Sequence, residues 1–254
     1  MTSLTKAFDL RLQVLDWNAW AKGRTGKEAW RRWALNPMDR QPDLSAVETA
    51  VPSAAAMPPL LRRRAGFSDR LAFDLAYGLV GKETRVPSVF ASRHGQIVRS
   101  VDLLEKLVED QPCSPMDFSV SVHNATAGLI SIARGDTAQS TSVAAGRESL
   151  SSGLLEAQAM VEEGAERVLV VYHDETPPPV LDEAWARESS DWALGLLLGN
   201  GKGRTLDMKL EDDPSHQGGD PMPQALALVR LLARGTGEEL WRNGRHLWTW
   251  GLPA

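Results

Sequence analysis

Apolar positions along the chain follow a few distinct patterns. Residues 8–15 (FDLRLQVL) alternate, with Leu10, Leu12 and Val14 on one side, and predict a half-buried strand. Residues 67–79 place Leu71, Phe73, Leu75 and Leu79 among polar neighbours and predict a helix closed by Gly81. A short strand is expected over 86–91. A helix is expected over 97–108, where Ile97, Val101, Leu104, Leu107 and Val108 recur at helical spacing. Residues 114–135 read as one largely apolar helix, buried on most sides and stopped by Gly135.

The clearest architectural signal follows. Residues 140–145 (STSVAA) form a β-branched strand, Gly146 a turn, residues 148–163 a helix closed by Gly164, and residues 167–172 (RVLVVY) a second strand. That order is a βαβ unit, which implies parallel pairing. The unbroken apolar run at 167–172 suits a sheet covered on both faces. Residues 192–198 predict another buried strand, and Asn200-Gly201 a tight hairpin into 205–210. A helix is expected over 221–234, then a short helix and an irregular tail. Proline-rich residues 37–59 read as a loop-rich insertion. The expectation is one α/β domain over residues 1–254, layered α-β-α, with a mixed, partly parallel sheet.

Composition narrows this picture. Of 254 residues, 43% are hydrophobic and 24% charged, which suits a soluble globular chain rather than a disordered one. A net charge of −5 and the lack of a basic run make nucleic acid a poor partner. No stretch is long and apolar enough to span a membrane. The first twenty residues alternate apolar and charged and do not resemble a signal peptide, so a cytoplasmic protein is expected. Nine tryptophans stand against two tyrosines. Trp17, Trp20, Trp30 and Trp33 gather near one end and Trp241, Trp248 and Trp250 near the other. Two readings are open: core fillers from both ends packed together, or an exposed aromatic interface.

Candidate chemistry is sparse. No two of the five histidines lie four apart, and neighbours such as His173-Asp174-Glu175 point apart, so neither a metal nor a cofactor is expected. Gly199-Asn200-Gly201-Lys202-Gly203 lacks the Ser or Thr after the lysine that a phosphate loop needs. Near the turn at Gly146 the one nucleophile is Ser149, a catalyst or a helix cap. Cys113, the single cysteine, sits in a loop with no local base to activate it. Arg62-Arg63-Arg64 suits either a solvated helix start or an acidic partner.

Residues 114–133 (SPMDFSVSVHNATAGLISIA) are the most specific stretch. They resemble the beta-ketoacyl synthase-like N-terminal domain family. Leu61-Arg62-Arg63-Arg64, residues 89–95 (VFASRHG), Ala145-Gly146 with residues 153–157 (GLLEA), and residues 168–171 with Asp174-Glu175 agree in order, over roughly residues 15–250. The resemblance implies half of a thiolase fold. In that family a Cys sits at the strand-to-helix elbow and two His follow in the second half. Here the Cys position falls at or beside Arg147, and neither His motif has a counterpart. The elbow Gly146, Arg147, Glu148 is therefore degenerate, and no catalytic residue is assigned.

What the resemblance then implies is a chain-length-factor-like subunit, as in aryl polyene clusters. It would pair with a full-length ketosynthase, shape the acyl tunnel and meet acyl carrier protein through the complex. The implied interface and tunnel residues are Phe118, Val122, His123, Asn124, Ala127, Gly128 and Ser131, with Thr141 and Val143 pairing across a continuous sheet. A half-fold would leave a sheet edge and an apolar helix uncovered, which predicts an obligate interface of about 2,000 Å² or more. Arg147 and Glu148 would either fill the former nucleophile pocket, reach into the partner, or pair with each other in solvent. The alternative function is a stand-alone acyltransferase or hydrolase using Ser149 or Cys113.

Overall fold

The structure, a computed structural model, describes residues 5–36, 52–83, 85–181 and 191–253. Most of the expected insertion at 37–59 lies outside them. Nine strands form one mixed sheet: β1 (Thr5–Ala21), β2 (Arg24–Thr25), β3 (Ser88–Ala91), β4 (Ser140–Val143), β5 (Arg167–Asp174), β6 (Trp192–Gly199), β7 (Arg204–Asp212), β8 (Gly237–Asn243) and β9 (His246–Leu252). Their order is β4-β3-β5-β6-β1-β7-β9-β8, with β2 paired to β1. Only β4-β3-β5 is parallel. β4 and β5 flank β3, so the βαβ unit read from sequence skips one strand.

Eight described helices flank the sheet: α1 (Lys27–Leu35), α2 (Pro59–Arg64), α3 (Phe67–Val80), α4 (Ile97–Val108), α5 (Pro115–Ser119), α6 (Ala125–Arg134), α7 (Ser149–Glu162) and α8 (Gln224–Arg234). A 3₁₀ turn, Gly146–Glu148, joins β4 to α7. Val168, Val170 and Tyr172 of β5 pack on one face with α1, α7 and α8. Leu169 and Val171 pack on the other with α3 and α6. Burial on both faces explains the unbroken apolar run.

Four sequence expectations are corrected. β1 continues to Ala21, past the expected end at residue 15. A bulge between Val14 and Asp16 inserts one residue, so Leu12 and Val14 face the same core as Trp17, Ala19 and Ala21 despite the change of parity. The alternation therefore looks broken in sequence where the strand is not.

Asn200-Gly201 makes no hairpin, because β1 lies between β6 and β7. Val14 pairs with both Leu198 and Arg204, so residues 200–203 cross over β1. A Cβ at Gly203 would lie 2.6 Å from the Val14 carbonyl oxygen, which is why glycine stands there.

The single helix expected over 114–135 is two, α5 and α6. Arg99 Nη1 donates to the Val120 carbonyl (3.2 Å) and Ser100 Oγ to the Ser121 carbonyl (3.1 Å). Both carbonyls are thereby turned from helical partners, in a Ser-Val-His-Asn stretch of weak helix formers.

The tail is a hairpin, not a helix. β8 and β9 turn at Gly244-Arg245, with Asn243 opposite His246 and Gly244 at φ 57°. Of the two tryptophan groups, all but the half-buried Trp20 prove to be core. Trp30, Trp241 and Trp250 are wholly buried, and Trp30 Nε1 donates to the Ala19 carbonyl (2.8 Å). They share one core with residues of α1, α7 and α8. Gln224 of α8 accepts the Ser151 N–H of α7 at 3.0 Å.

Candidate functional site

Parallel strands carry functional groups at their C-terminal ends. Here the ends of β3 and β5 hold a buried polar cluster. Asp174 Oδ1 accepts the Ser92 hydroxyl (2.8 Å) and the Arg93 N–H (2.9 Å), and Tyr172 donates its hydroxyl to Oδ2. Ser68 Oγ lies 2.7 Å from His173 Nδ1, and Glu175 accepts the Ser68 N–H at 2.7 Å. Asp69, at the start of α3, accepts Gln96 Nε2 and Thr126 Oγ1, each at 2.8 Å, and pairs with Arg99 at 3.3 Å. The His123 Nε2–H donates to the Ser92 carbonyl at 3.1 Å. A Cβ at Gly95 would strike the His123 ring at 2.7 Å, so the pair requires glycine there.

Burial pushes the Glu175 carboxyl up to about 7, with Asp69 and Asp191 adding repulsion against the Ser68 N–H and Arg99. It pushes His173 and His94 below the ordinary histidine range and the Tyr172 hydroxyl well up. Ser68 and His173 form a nucleophile–base pair by type. They are 0% and 1% exposed, so substrate has no access. The cluster positions α3, α4 and α6 on the sheet. Sequence reading passed over Ser68, Asp69 and Gln96, whose only early signal was being polar on otherwise apolar segments.

At the elbow, Gly146 takes φ 58° and opens the turn. Ser149 Oγ donates to the Gly146 carbonyl (2.7 Å) and accepts the Ala145 N–H (2.9 Å), while the residue is completely buried. Arg147 donates to the Asp220 carbonyl and lies over Trp241, 5.5 Å from the ring centroid. Glu148 accepts from Asn243 (2.7 Å) and pairs with His246 (2.8 Å). Arg147 and Glu148 therefore part in different directions, and the expected alternative of a mutual solvent pair is corrected. Cys113 lies on the loop before α5, half-buried, 3.9 Å from the Leu103 carbonyl.

Among the implied interface residues, Phe118 is 64% exposed, and Val122, Asn124 and Gly128 are also exposed. His123, Ser131, Thr141 and Val143 are half-buried. Ala127 is 7% exposed and packs with Ala72 and Phe73 in this chain's own core. α6 likewise buries Ala125, Leu129 and Ile130 rather than leaving them wet. Helix α4 holds the reverse surprise. Val101 and Leu103 face inward, while Leu104, Leu107 and Val108 stand in solvent. Met116 and Ile132 are exposed as well. Arg62, Arg63 and Arg64 form the last turn of α2, where positive charge suits the helix dipole.

Among the described residues no group of three His, Cys, Asp or Glu is placed to hold a metal ion. No described helix is long and apolar enough to cross a membrane.

The mixed sheet, its helical layers and the strand–turn–helix elbow define a thiolase-like ketosynthase half. The sequence model described as beta-ketoacyl synthase, N-terminal domain, matches residues 30–251, and the chain belongs to that family. Solved structures agree. A chain in the ketosynthase (ApeO) complex with its chain length factor (ApeC) from Xenorhabdus doucetiae is 26% identical, with TM-score 0.79, over 95% of this chain and 99% of that one. The ishigamide ketosynthase/chain length factor is 12% identical, with TM-score 0.72, over 96% and 99%. A beta-ketoacyl synthase from Burkholderia phymatum STM815 is 14% identical, with TM-score 0.59, over 88% and 70%. No curated protein matches the chain.

Proposed function

We propose that this chain is a non-catalytic, chain-length-factor-like subunit. It pairs with an active beta-ketoacyl-ACP synthase and shapes that enzyme's acyl tunnel in aryl polyene or related polyketide or fatty-acid-type synthesis. The observation that carries the reading is the elbow. The position the family gives to its cysteine falls at or beside Arg147, whose guanidinium lies over Trp241. The single thiol, Cys113, is on another loop.

The partner's surface follows from what is left uncovered. Among the described residues, strand β4 ends the sheet and pairs with β3 alone. In this reading Thr141 and Val143 continue the sheet into a second chain. Phe118, Val122, Asn124, Gly128 and Ser131 lie on α5, α6 and their connection, α6 packs beside β4, and Leu107 and Ile132 add exposed apolar area. Acyl carrier protein is reached through the complex, in the cytoplasm.

The alternative, acyl transfer by Ser149, is disfavoured because both hydrogen-bonding roles of that hydroxyl are spent inside the turn. Co-expression with a ketosynthase of the same gene cluster tests the reading. Stable co-purification is expected, with an acyl-thioester probe labelling only the ketosynthase. Separate elution of the two proteins, or label on this chain that is lost in Ser149→Ala or Cys113→Ala, would overturn it.

A further inference from the structure

Between the elbow turn and the start of α8 lies a narrow crevice of about 20 Å³, room for one water-sized species. Arg93, Arg147, Asp174, Gln224 and Trp241 are among the residues that line it. Gln224 is 3% exposed. Its Oε1 accepts the Ser151 N–H, which fixes the carboxamide's orientation. Its Nε2 then has no acceptor among the described residues. A buried donor of this kind calls for a partner.

We propose that this crevice binds a single monovalent anion of halide size, held by the Gln224 Nε2–H between the Arg93 and Arg147 guanidiniums. Charge selects the ligand. The charged residues that line the crevice are Arg93, Arg147 and Asp174. The Asp174 carboxylate already accepts Ser92, the Arg93 backbone and Tyr172. Arg147 and Arg93 are engaged elsewhere too, yet each guanidinium carries five N–H donors. A water in this position would need acceptors for both of its hydrogens. An anion takes donors alone, which is what Gln224 and the guanidiniums supply. The inference uses the geometry of the folded chain only and stands apart from the subunit reading.

Two measurements on the full chain test it. In thermal unfolding at constant ionic strength, chloride or bromide replacing gluconate should raise Tm along a saturating curve. The rise should be about 3 °C at tenfold excess over the dissociation constant. In Gln224→Leu and Arg147→Met the saturating component should disappear. In crystals grown with bromide, an anomalous peak should lie within hydrogen-bond distance of Gln224 Nε2. Identical Tm curves for halide and gluconate in the wild-type chain would overturn the proposal. A bromide peak without any Tm response would show an adventitious ion only and overturn it as well. Should either variant fail to fold, the wild-type titration and the anomalous map decide between the same outcomes.

Discussion

At the β8 end of the sheet, Trp241 and Trp250 are sealed beneath α8 and α1. At the β4 end, the last strand has a neighbour on one side only. The helices between β3 and β4 there hold Leu107, Val108, Phe118 and Ile132 in solvent at 59%, 86%, 64% and 65% exposure. Both β4 and β8 end the sheet, but the β8 end packs its largest side chains beneath helices, while the helices near β4 keep more apolar area exposed. Exposed edges of this kind are ordinarily blunted by charge or covered. The contrast teaches that this chain buries its tryptophans within its own core and leaves its apolar helix residues near β4 exposed, which is where the proposed pairing is set.

The strongest way to break this comparison is at the closed end. Trp241→Ala removes a fully buried indole, its hydrogen bond to the Met222 carbonyl and the surface on which Arg147 rests. A loss of about 3–5 kcal/mol is expected in urea denaturation. A loss below about 1 kcal/mol would show that the tryptophans do not build this core.

Glu175 tests the polar cluster on which the open end is mounted. Its carboxyl is raised from 4.5 to about 7 in the folded chain. The folded state therefore holds a proton that the unfolded state has released. The stability this contributes is present below pH 4.5 and is lost as pH rises through about 7. His173 and His94, both lowered by burial, act oppositely: their contribution is present above the ordinary histidine value and is lost as pH falls. Glu175→Gln isolates the carboxyl. Relative to wild type, the variant should gain on the order of 3 kcal/mol between pH 4.5 and 8. A pH-independent difference would refute the assignment.

A smaller effect is expected at the elbow. Ser149→Ala frees the Ala145 N–H and the Gly146 carbonyl inside the turn. A cost of about 1–2 kcal/mol should appear in the denaturation midpoint, with partner binding retained. The smallest effect on folding is expected at the open end. Phe118→Ser and Ile132→Ser should change the isolated chain's stability by less than about 0.5 kcal/mol, because neither side chain is in the core. Both should weaken pairing severalfold in a binding titration. Large destabilisation of the lone chain would mean that this face belongs to the chain's own fold.

The central layer was legible in sequence because its physics is local. β5 and β6 are unbroken apolar runs, and α3 and α7 are bounded by glycines. The β8–β9 hairpin was missed although Asn243-Gly244 carries the same signal as Asn200-Gly201, where no hairpin forms. Only tertiary order, β1 lying between β6 and β7, separates the two cases. α4 shows a similar limit. Leu104 and Val108 lie at helical spacing from Val101, yet they are exposed while Leu103, off that spacing, is buried, so periodicity does not say which positions meet the core. The cluster joining Ser68, Asp69, Gln96, Thr126 and His173 spans residues about a hundred positions apart, so no window of sequence displays it. Membership of the ketosynthase family was legible in residues 114–133, yet Ala127 within them points inward, a fact that only packing decides.

The most direct measurement is reconstitution of chain elongation with carrier-bound substrates, followed by mass spectrometry of the carrier-bound products. The ketosynthase alone, this chain alone and the pair are compared, with the Phe118→Ser/Ile132→Ser variant as the pairing control. The account predicts elongation to full length only for the wild-type pair, none for this chain alone, and short or absent products with the variant. Full-length product from the ketosynthase by itself, or condensation by this chain by itself, would contradict it.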